Sequence, residues 1–450
     1  MKVCKFGGTS LATAESVAKV CDIVISDPER KIIVVSAPGK RNSEDTKVTD
    51  LLIQAALWRL SYKGKDTFDA IVARFAEIQK GLGLSDSITQ EISQNIKACL
   101  DSDTTYKEKY LDRVKAAGED NCARLVAEAL RQRGVNAIYM SPCTAGLILT
   151  SEYGNARILP ESYENLAELK KRKEIIVFPG FFGRSPEGDV VTFPRGGSDI
   201  TGSILAASVE AEEYENFTDV SSIYAADPKI VPEAKPIKEL TYREVRELSY
   251  SGFSVFHEEA IIPIVHKKIP VRVRNTYQPD EPGTLIVPER KYTRGEIAGI
   301  AARAGFCTVY LSKYLMNREI GFGRRLLQIF EEEGLGFEHM PSGIDNISVV
   351  LKEEDLDTET EATILRRIKE ELLVDDVYVE RGLALIMIAG EGMRYTVGLA
   401  AKATAALAEA NVNIEMLDQG ASEISMMFGV KAEDMAKAVR HLYRAFFGNQ

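Results

Sequence analysis

Two short stretches carry residue types able to handle an anion. The first is Lys5-Phe6-Gly7-Gly8-Thr9-Ser10. It closes an apolar run, residues 3–6, that reads as a buried strand, and it leads into a helical pattern. Paired glycines let backbone N–H groups approach a phosphate, a helix start adds partial positive charge, and Lys5 supplies a full cation. The same residues could form a plain strand-to-helix turn with an exposed lysine, although the position at a strand end favours the cradle. The G-x-x-x-x-G-K-[ST] spacing of a Walker A loop is absent. The second stretch is Pro194-Arg195-Gly196-Gly197-Ser198-Asp199, again a glycine pair before a helix. Here Arg195 could hold a carboxylate bidentately and Asp199 could orient a cation. Alternatively, Ser198 or Asp199 could serve only as an N-cap. Two such loops, one with Lys and one with Arg and Asp, suggest phosphoryl transfer to an anionic acceptor.

These loops need a frame. Up to about residue 275, strand-like runs at residues 3–6, 32–36, 135–140, 175–178, 214–217 and 271–273 alternate with helical patterns. Val17, Val20, Cys21 and Val24 form one amphipathic stripe; Cys122, Leu125, Val126, Ala129 and Leu130 form another, and residues 198–209 read as a third helix. The alternation predicts an α/β layer fold with a mainly parallel sheet. Residues 277–294, with Pro279, Pro282 and Pro288 among many charges, read as a connector. Beyond it the pattern changes. Leu335-Gly336-Phe337-Glu338 matches Val412-Asn413-Ile414-Glu415, Gly343 matches Gly420, and Ile347-Ser348 matches Ile424-Ser425, all at one offset. Two copies of a small β-α-β-β-α unit are therefore expected in the last third.

Composition narrows the function. The 450 residues carry 56 Lys+Arg against 67 Asp+Glu, a net charge of −11, which argues against a nucleic-acid partner. The longest apolar runs, such as Ala384-Leu385-Ile386-Met387-Ile388-Ala389, are strand-sized, so no membrane span is expected. Six scattered cysteines and four histidines show neither disulfide nor metal spacing, consistent with a reducing cytoplasm. Gly321-Phe322-Gly323 and Gly390-Glu391-Gly392 imitate a dinucleotide fingerprint but lack its third glycine.

Taken together, the K-x-G-G-T-S opening, Arg195-Gly196-Gly197-Ser198-Asp199, Gly154-Asn155-Ala156-Arg157-Ile158-Leu159, and Thr218-Asp219-Val220 with Tyr224 and Asp227-Pro228 resemble the aspartate kinase family. The resemblance covers essentially the whole chain. It implies a three-layer amino-acid-kinase domain over residues 1–276, a linker at 277–296, and two ferredoxin-like ACT domains at 297–381 and 382–450. It implies a monofunctional enzyme that phosphorylates L-aspartate with ATP and Mg²⁺, opening the route to lysine, threonine and methionine. By the same resemblance Lys5 would stabilise the transferred phosphoryl group and Asp199 would orient Lys5. Arg195 would bind the α-carboxylate of aspartate and Glu119 its ammonium, with Thr49, Gly196, Gly197 and Ser198 in the acceptor pocket. Gly7, Gly8, Thr9, Ser10, Thr218, Asp219, Tyr224, Lys229 and Ser254 would face ATP. Without the resemblance, Glu119 would read as a solvated acid and Thr49 as an N-cap. Two departures bear on the nucleotide: Ser254 stands where the family commonly has lysine, with Glu258 for a proline nearby, and Ser222 replaces a frequent glycine. In the first repeat Met316, Gly321, Ile344 and Asp345 would receive a regulatory lysine or threonine, and the repeats would join subunits into a homodimer or larger homo-oligomer. Ser422 takes the position of Asp345 in the second repeat. Rival readings are a kinase of the same fold acting on glutamate, acetylglutamate or a nucleotide, and a catalytically silent amino-acid sensor.

Overall fold

The apolar runs near the N-terminus form the middle of a sheet, with Lys2–Phe6 between Arg30–Val35 and Glu213–Thr218. The computed structural model describes residues 1–448 apart from 62–63, 195, 254–255 and 257. It divides into two units. One contains Met1–Ile223, Pro236–Arg246 and Ser254–Arg290; the other contains Tyr224–Lys235, Glu247–Phe253 and Lys291–Gln450.

The strands of the first unit are β1 (Lys2–Phe6), β2 (Arg30–Val35), β3 (Ala137–Tyr139), β4 (Ile175–Pro179), β5 (Phe182–Arg184), β6 (Val190–Thr192), β7 (Glu213–Thr218), β8 (Glu239–Thr241), β9 (Val271–Asn275) and β10 (Thr284–Val287). Eight of them make one sheet in the order β3-β4-β2-β1-β7-β9-β10-β8, and β5 pairs with β6 as a separate ribbon. All neighbours in the large sheet run parallel except β9 and β10. The helices are α1 (Ala14–Ser26), α2 (Val48–Ser61), α3 (Phe68–Leu82), α4 (Asp86–Leu100), α5 (Lys107–Gln132), α6 (Pro142–Ala145), α7 (Glu161–Ala167), α8 (Gly197–Val209), α9 (Tyr242–Tyr250) and α10 (Ile262–Val265).

Strand periodicity separates the two faces. Cys4 and Phe6 join Val17, Val20 and Val24 of α1 and buried residues of α2–α5 in one core. Lys5, between them, projects to the opposite face. There α8 packs on β1, β2 and β7, with α7 and α10 beside it. Three layers result, as the family resemblance implied, around the mainly parallel sheet that the alternation predicts. Two features differ from the sequence reading. The segment expected as a linker carries β10, because Thr284-Leu285-Ile286-Val287 is a short β-forming run framed by Gly283 and Pro288. Helices α2–α4, between residues 48 and 100, were not anticipated.

The second unit holds β11 (Gly299–Ser312), α11 (Phe322–Glu332), β12 (Asn346–Lys352), α12 (Thr358–Leu372), β13 (Asp376–Ala389), α13 (Leu399–Glu409), β14 (Met416–Asp418), β15 (Ser425–Lys431) and α14 (Met435–Phe447). One antiparallel sheet runs β12-β11-β13-β15-β14. The repeat is visible: α13 opens at Leu399 and α11 at Phe322, the same offset that separates Glu415 from Glu338. The copies share their two long strands. Residues 306–312 of β11 pair with β12, while 299–304 pair with the end of β13, which in turn pairs with β15. Gly305 and Gly382, both at positive φ, sit where the shared strands change register. The second strand of the β-α-β-β-α unit expected in the first copy is not regular: between α11 and β12 only isolated bridges form, His339 to Val350 and Ser342 to Ile347.

Candidate active site

Lys5 lies one residue from the C-terminal end of β1, the edge at which parallel α/β sheets place their ligands. Its Nζ is 2.6 Å from Asp199 Oδ1, and both side chains are nearly buried. Asp199 stands in the first turn of α8, which starts after Gly196 at φ 78°. A left-handed residue there lets the chain turn sharply into the helix. Gly197 is needed for space, since a Cβ would come within 2.7 Å of the Phe181 ring. Gly180, just past β4, is pressed against Ser198: a Cβ would meet Ser198 Oγ at 2.6 Å. The chain therefore delivers Ser198 and Asp199 to the sheet edge beside Lys5.

The two glycines after Lys5 have different roles. The Gly7 N–H donates to Phe217 O at 3.1 Å, so it joins β1 to β7. A Cβ on Gly7 would sit 3.6 Å from Lys5 Nζ and 3.7 Å from Phe217 O, both ordinary van der Waals contacts, so the position tolerates a small group against the ammonium. Gly8 is packed: its Cβ would lie 3.0 Å from Ala37 O and 3.2 Å from Gly39, whose N–H donates to Gly8 O at 2.8 Å. Thr9 and Ser10 continue in a short 3-10 turn, Gly8–Leu11. Ser10 Oγ bonds Thr276 Oγ1 at 2.7 Å, and Tyr277 O–H donates to Thr9 O at 2.9 Å.

The loop after β2 connects this element to Glu119 and Thr49. Helix α5 approaches so closely at Gly118 that a Cβ would reach Ala37 Cβ at 2.8 Å and Leu52 Cδ1 of α2 at 3.2 Å. Glu119 follows, buried, with Oε2 lacking any partner. Burial pushes its carboxyl up to about 8, against a smaller opposing pull from the Ala37 main chain. Glu119 is thus no solvated acid. Thr49 is half-buried on α2, next to Val48, whose N–H donates to Pro38 O at 3.1 Å. Thr218 ends β7 with its hydroxyl on Asp219 Oδ1 at 3.2 Å.

Tyr224 and Lys229 belong to the second unit, Tyr224 half-buried and Lys229 exposed. Arg195 and Ser254 lie outside the described residues. Of the regulatory set, Met316 is buried and Ile344 exposed, and Gly321 at φ 76° precedes α11. Asp345 Oδ1 accepts the Leu315 N–H at 2.9 Å, which fixes the two facing segments together and engages one oxygen of the expected ligand carboxylate.

Two buried residues escaped sequence reasoning. Asp112 of α5 accepts the N–H groups of Gly154 (2.7 Å) and Thr192 (2.8 Å), tying the loop around Asn155 to β6. Asn216 of β7 donates to Asp199 Oδ1 at 3.2 Å. The available signal for Asn216 was a polar residue inside a predicted strand. Among the described residues no helix is long and apolar enough to cross a membrane, and no three His, Cys, Asp or Glu side chains cluster as metal ligands. The cysteines are free.

This arrangement matches known proteins throughout its length. Residues 1–275 match the amino acid kinase family, and residues 386–446 match the ACT domain. The chain is 54% identical over 448 residues to Aspartokinase 3 of Bacillus subtilis, covering 99% of both proteins. Its structure resembles Clostridium acetobutylicum aspartate kinase (TM-score 0.83, 38% identity, 99% of each chain). It also resembles Escherichia coli aspartokinase III in two states. The complex with aspartate and ADP, the R-state, gives a TM-score of 0.84 at 25% identity, over 99% of this chain and 100% of that one. The complex with lysine and aspartate, the T-state, gives 0.78 at 26% identity, over 99% of each. The chain belongs to the amino acid kinase family and, within it, to the aspartokinases.

Proposed function

We propose that the protein transfers the γ-phosphoryl group of ATP to the side-chain carboxylate of L-aspartate, yielding 4-phospho-L-aspartate and ADP. The observation that carries this reading is the nearly buried 2.6 Å pair of Lys5 and Asp199 at the end of β1. A carboxylate oxygen of aspartate attacks the γ-phosphorus while the bond to the β,γ-bridging oxygen breaks, its electron pair leaving on ADP. The acceptor carboxylate, with an ordinary pKa of about 3.9, is already ionised at neutral pH, so no base has to take a proton. What remains is positioning and charge neutralisation. Lys5 meets the negative charge of the γ-phosphoryl group, and Asp199 keeps the ammonium aimed. Glu119 takes the substrate's ammonium, Arg195 its α-carboxylate, and Thr49 and Ser198 line the acceptor side. Gly7, Gly8, Thr9, Ser10, Thr218 and Asp219 face the nucleotide.

Mg²⁺ binds phosphate oxygens, water and one or two carboxylates. Such an ion would arrive on ATP, and Asp219, directly after β7 on the nucleotide side, could complete its shell. When bound it shields the phosphate charges. The ACT repeats carry end-product feedback by lysine or threonine and join subunits into a homo-oligomer, in a cytoplasmic enzyme at the head of the aspartate-derived amino-acid route. E. coli aspartokinase III with lysine bound supports lysine as the first effector to try. The direct test is ADP release from MgATP with aspartate or glutamate as acceptor. Release that depends on aspartate and is at least tenfold slower with glutamate is expected; equal rates would overturn the acceptor assignment.

A further inference from the structure

Lys5 and Asn216 are register partners on the adjacent parallel strands β1 and β7. Partners in register project from the same face of the sheet at neighbouring positions. Asp199 descends onto them from α8, which lies very close to β7: a Cβ on Gly202, one turn further along, would reach Tyr214 O–H at 2.4 Å. Asp199 Oδ1 consequently accepts two donors, Lys5 Nζ at 2.6 Å and Asn216 Nδ2 at 3.2 Å. Asn216 is fully buried, and its own Oδ1 has no partner. Reversing the amide would place two oxygens face to face, so the donor orientation is the one chemistry allows. An unsatisfied buried amide oxygen costs stability. A strand position facing α8 would be filled more stably by an apolar residue, and its neighbours along this face, Val3 and Tyr214, are largely apolar.

We propose that Asn216 is a positioning residue for phosphoryl transfer, its amide fixing the Asp199 carboxylate so that Lys5 is held in its working direction. Asn216 touches neither substrate in this scheme and acts only through Asp199 and Lys5. The proposal rests on the catalytic roles given to those two residues.

The test is a double-mutant cycle on the full chain, with kcat and both KM values measured for Asn216→Leu, Asp199→Asn and the double variant. Asn216→Leu is expected to lower kcat on the order of 10- to 100-fold, as for a hydrogen bond to a charged group. KM for ATP and for aspartate should stay within about threefold. In the Asp199→Asn background the same change should cost little further, because the carboxylate charge through which Asn216 acts on Lys5 is gone even though an acceptor oxygen remains. Full activity of Asp199→Asn would refute the underlying reading of the pair. An inactive Asp199→Asn beside an Asn216→Leu variant within twofold of wild type would refute this proposal alone. Equal losses from Asn216→Leu in both backgrounds would also refute it, marking a packing effect. If Asn216→Leu does not fold, Asn216→Val, a smaller β-branched residue suited to a strand, runs the same cycle.

Discussion

Glu119 is the residue whose environment differs most from what its type suggests. Sequence alone makes it a helix-surface acid, and only packing at Gly118 against Ala37 and Leu52 reveals that it is buried and half-unpartnered. Its carboxyl, raised to about 8, favours the neutral form in the ligand-free fold. The sign follows: the stability this group contributes is complete below its unfolded value of about 4.5 and is lost as pH rises through about 8. A substrate ammonium beside it would reverse that penalty, so aspartate should bind best when Glu119 can ionise against it. Glu119→Gln keeps the shape and cannot ionise. It should melt at a higher temperature than wild type at pH 9, with the gap narrowing below pH 8 and closing only toward pH 4.5, and KM for aspartate should rise at least tenfold. An unchanged KM, or a melting gap independent of pH, would show that the carboxyl does not serve as the ammonium site. Lys5 and Asp199, by contrast, were legible at once, because a cation and an anion each follow or flank a glycine pair at an element end.

At the scale of elements, the glycine pair after β1 separates two functions that the sequence could not distinguish. Gly8 is required by the close approach of residues 37–39, whereas a Cβ on Gly7 would make only ordinary contacts, one of them with Lys5 Nζ. Gly8→Ala should therefore destabilise the fold by about 1–3 kcal/mol, the usual cost of overpacking. Gly7→Ala should leave the melting temperature within a degree or two and raise KM for ATP several-fold, by crowding the nucleotide. Thermal melts beside ATP titrations check both, and the reverse pattern would mean that Gly7 is structural. The parallel strands were readable because a strand buried on both faces is a continuous apolar run, as in Ile32-Ile33-Val34-Val35. Helices α2–α4 were not read; α2 is apolar nearly all round, and a helix without a polar face gives no clear period. Strand β10 was hidden by the prolines and charges around it.

At the scale of the molecule, the internal repeat was visible as a fixed offset, but its assembly was not. Offset matching carries no information on pairing, so the sharing of β11 and β13 between the copies emerges only from the sheet register. In the first copy Asp345 fastens the loop at Leu315 to the segment that faces it. If lysine or threonine is the effector, its ammonium should share that carboxylate. Asp345→Asn retains the oxygen that caps Leu315 and loses only the charge. Initial rates with lysine, threonine and both together should fall for wild type, and the concentration for half-inhibition should rise at least tenfold in Asp345→Asn. Absence of inhibition by any combination at millimolar concentration would reject feedback through the repeats. Inhibition unchanged in the variant would keep feedback and reject the site.

Phosphoryl transfer here requires Lys5 and Asp199 to act as one charge-positioning pair, and the turnover number of purified, folded Lys5→Ala and Asp199→Ala tests this most directly. Each should lose on the order of 10²- to 10³-fold in kcat for aspartate-dependent ADP release, with melting temperature close to wild type, as expected when preorganised charge stabilisation is removed. Either variant keeping more than about a tenth of wild-type kcat would contradict the assignment of phosphoryl transfer to this pair.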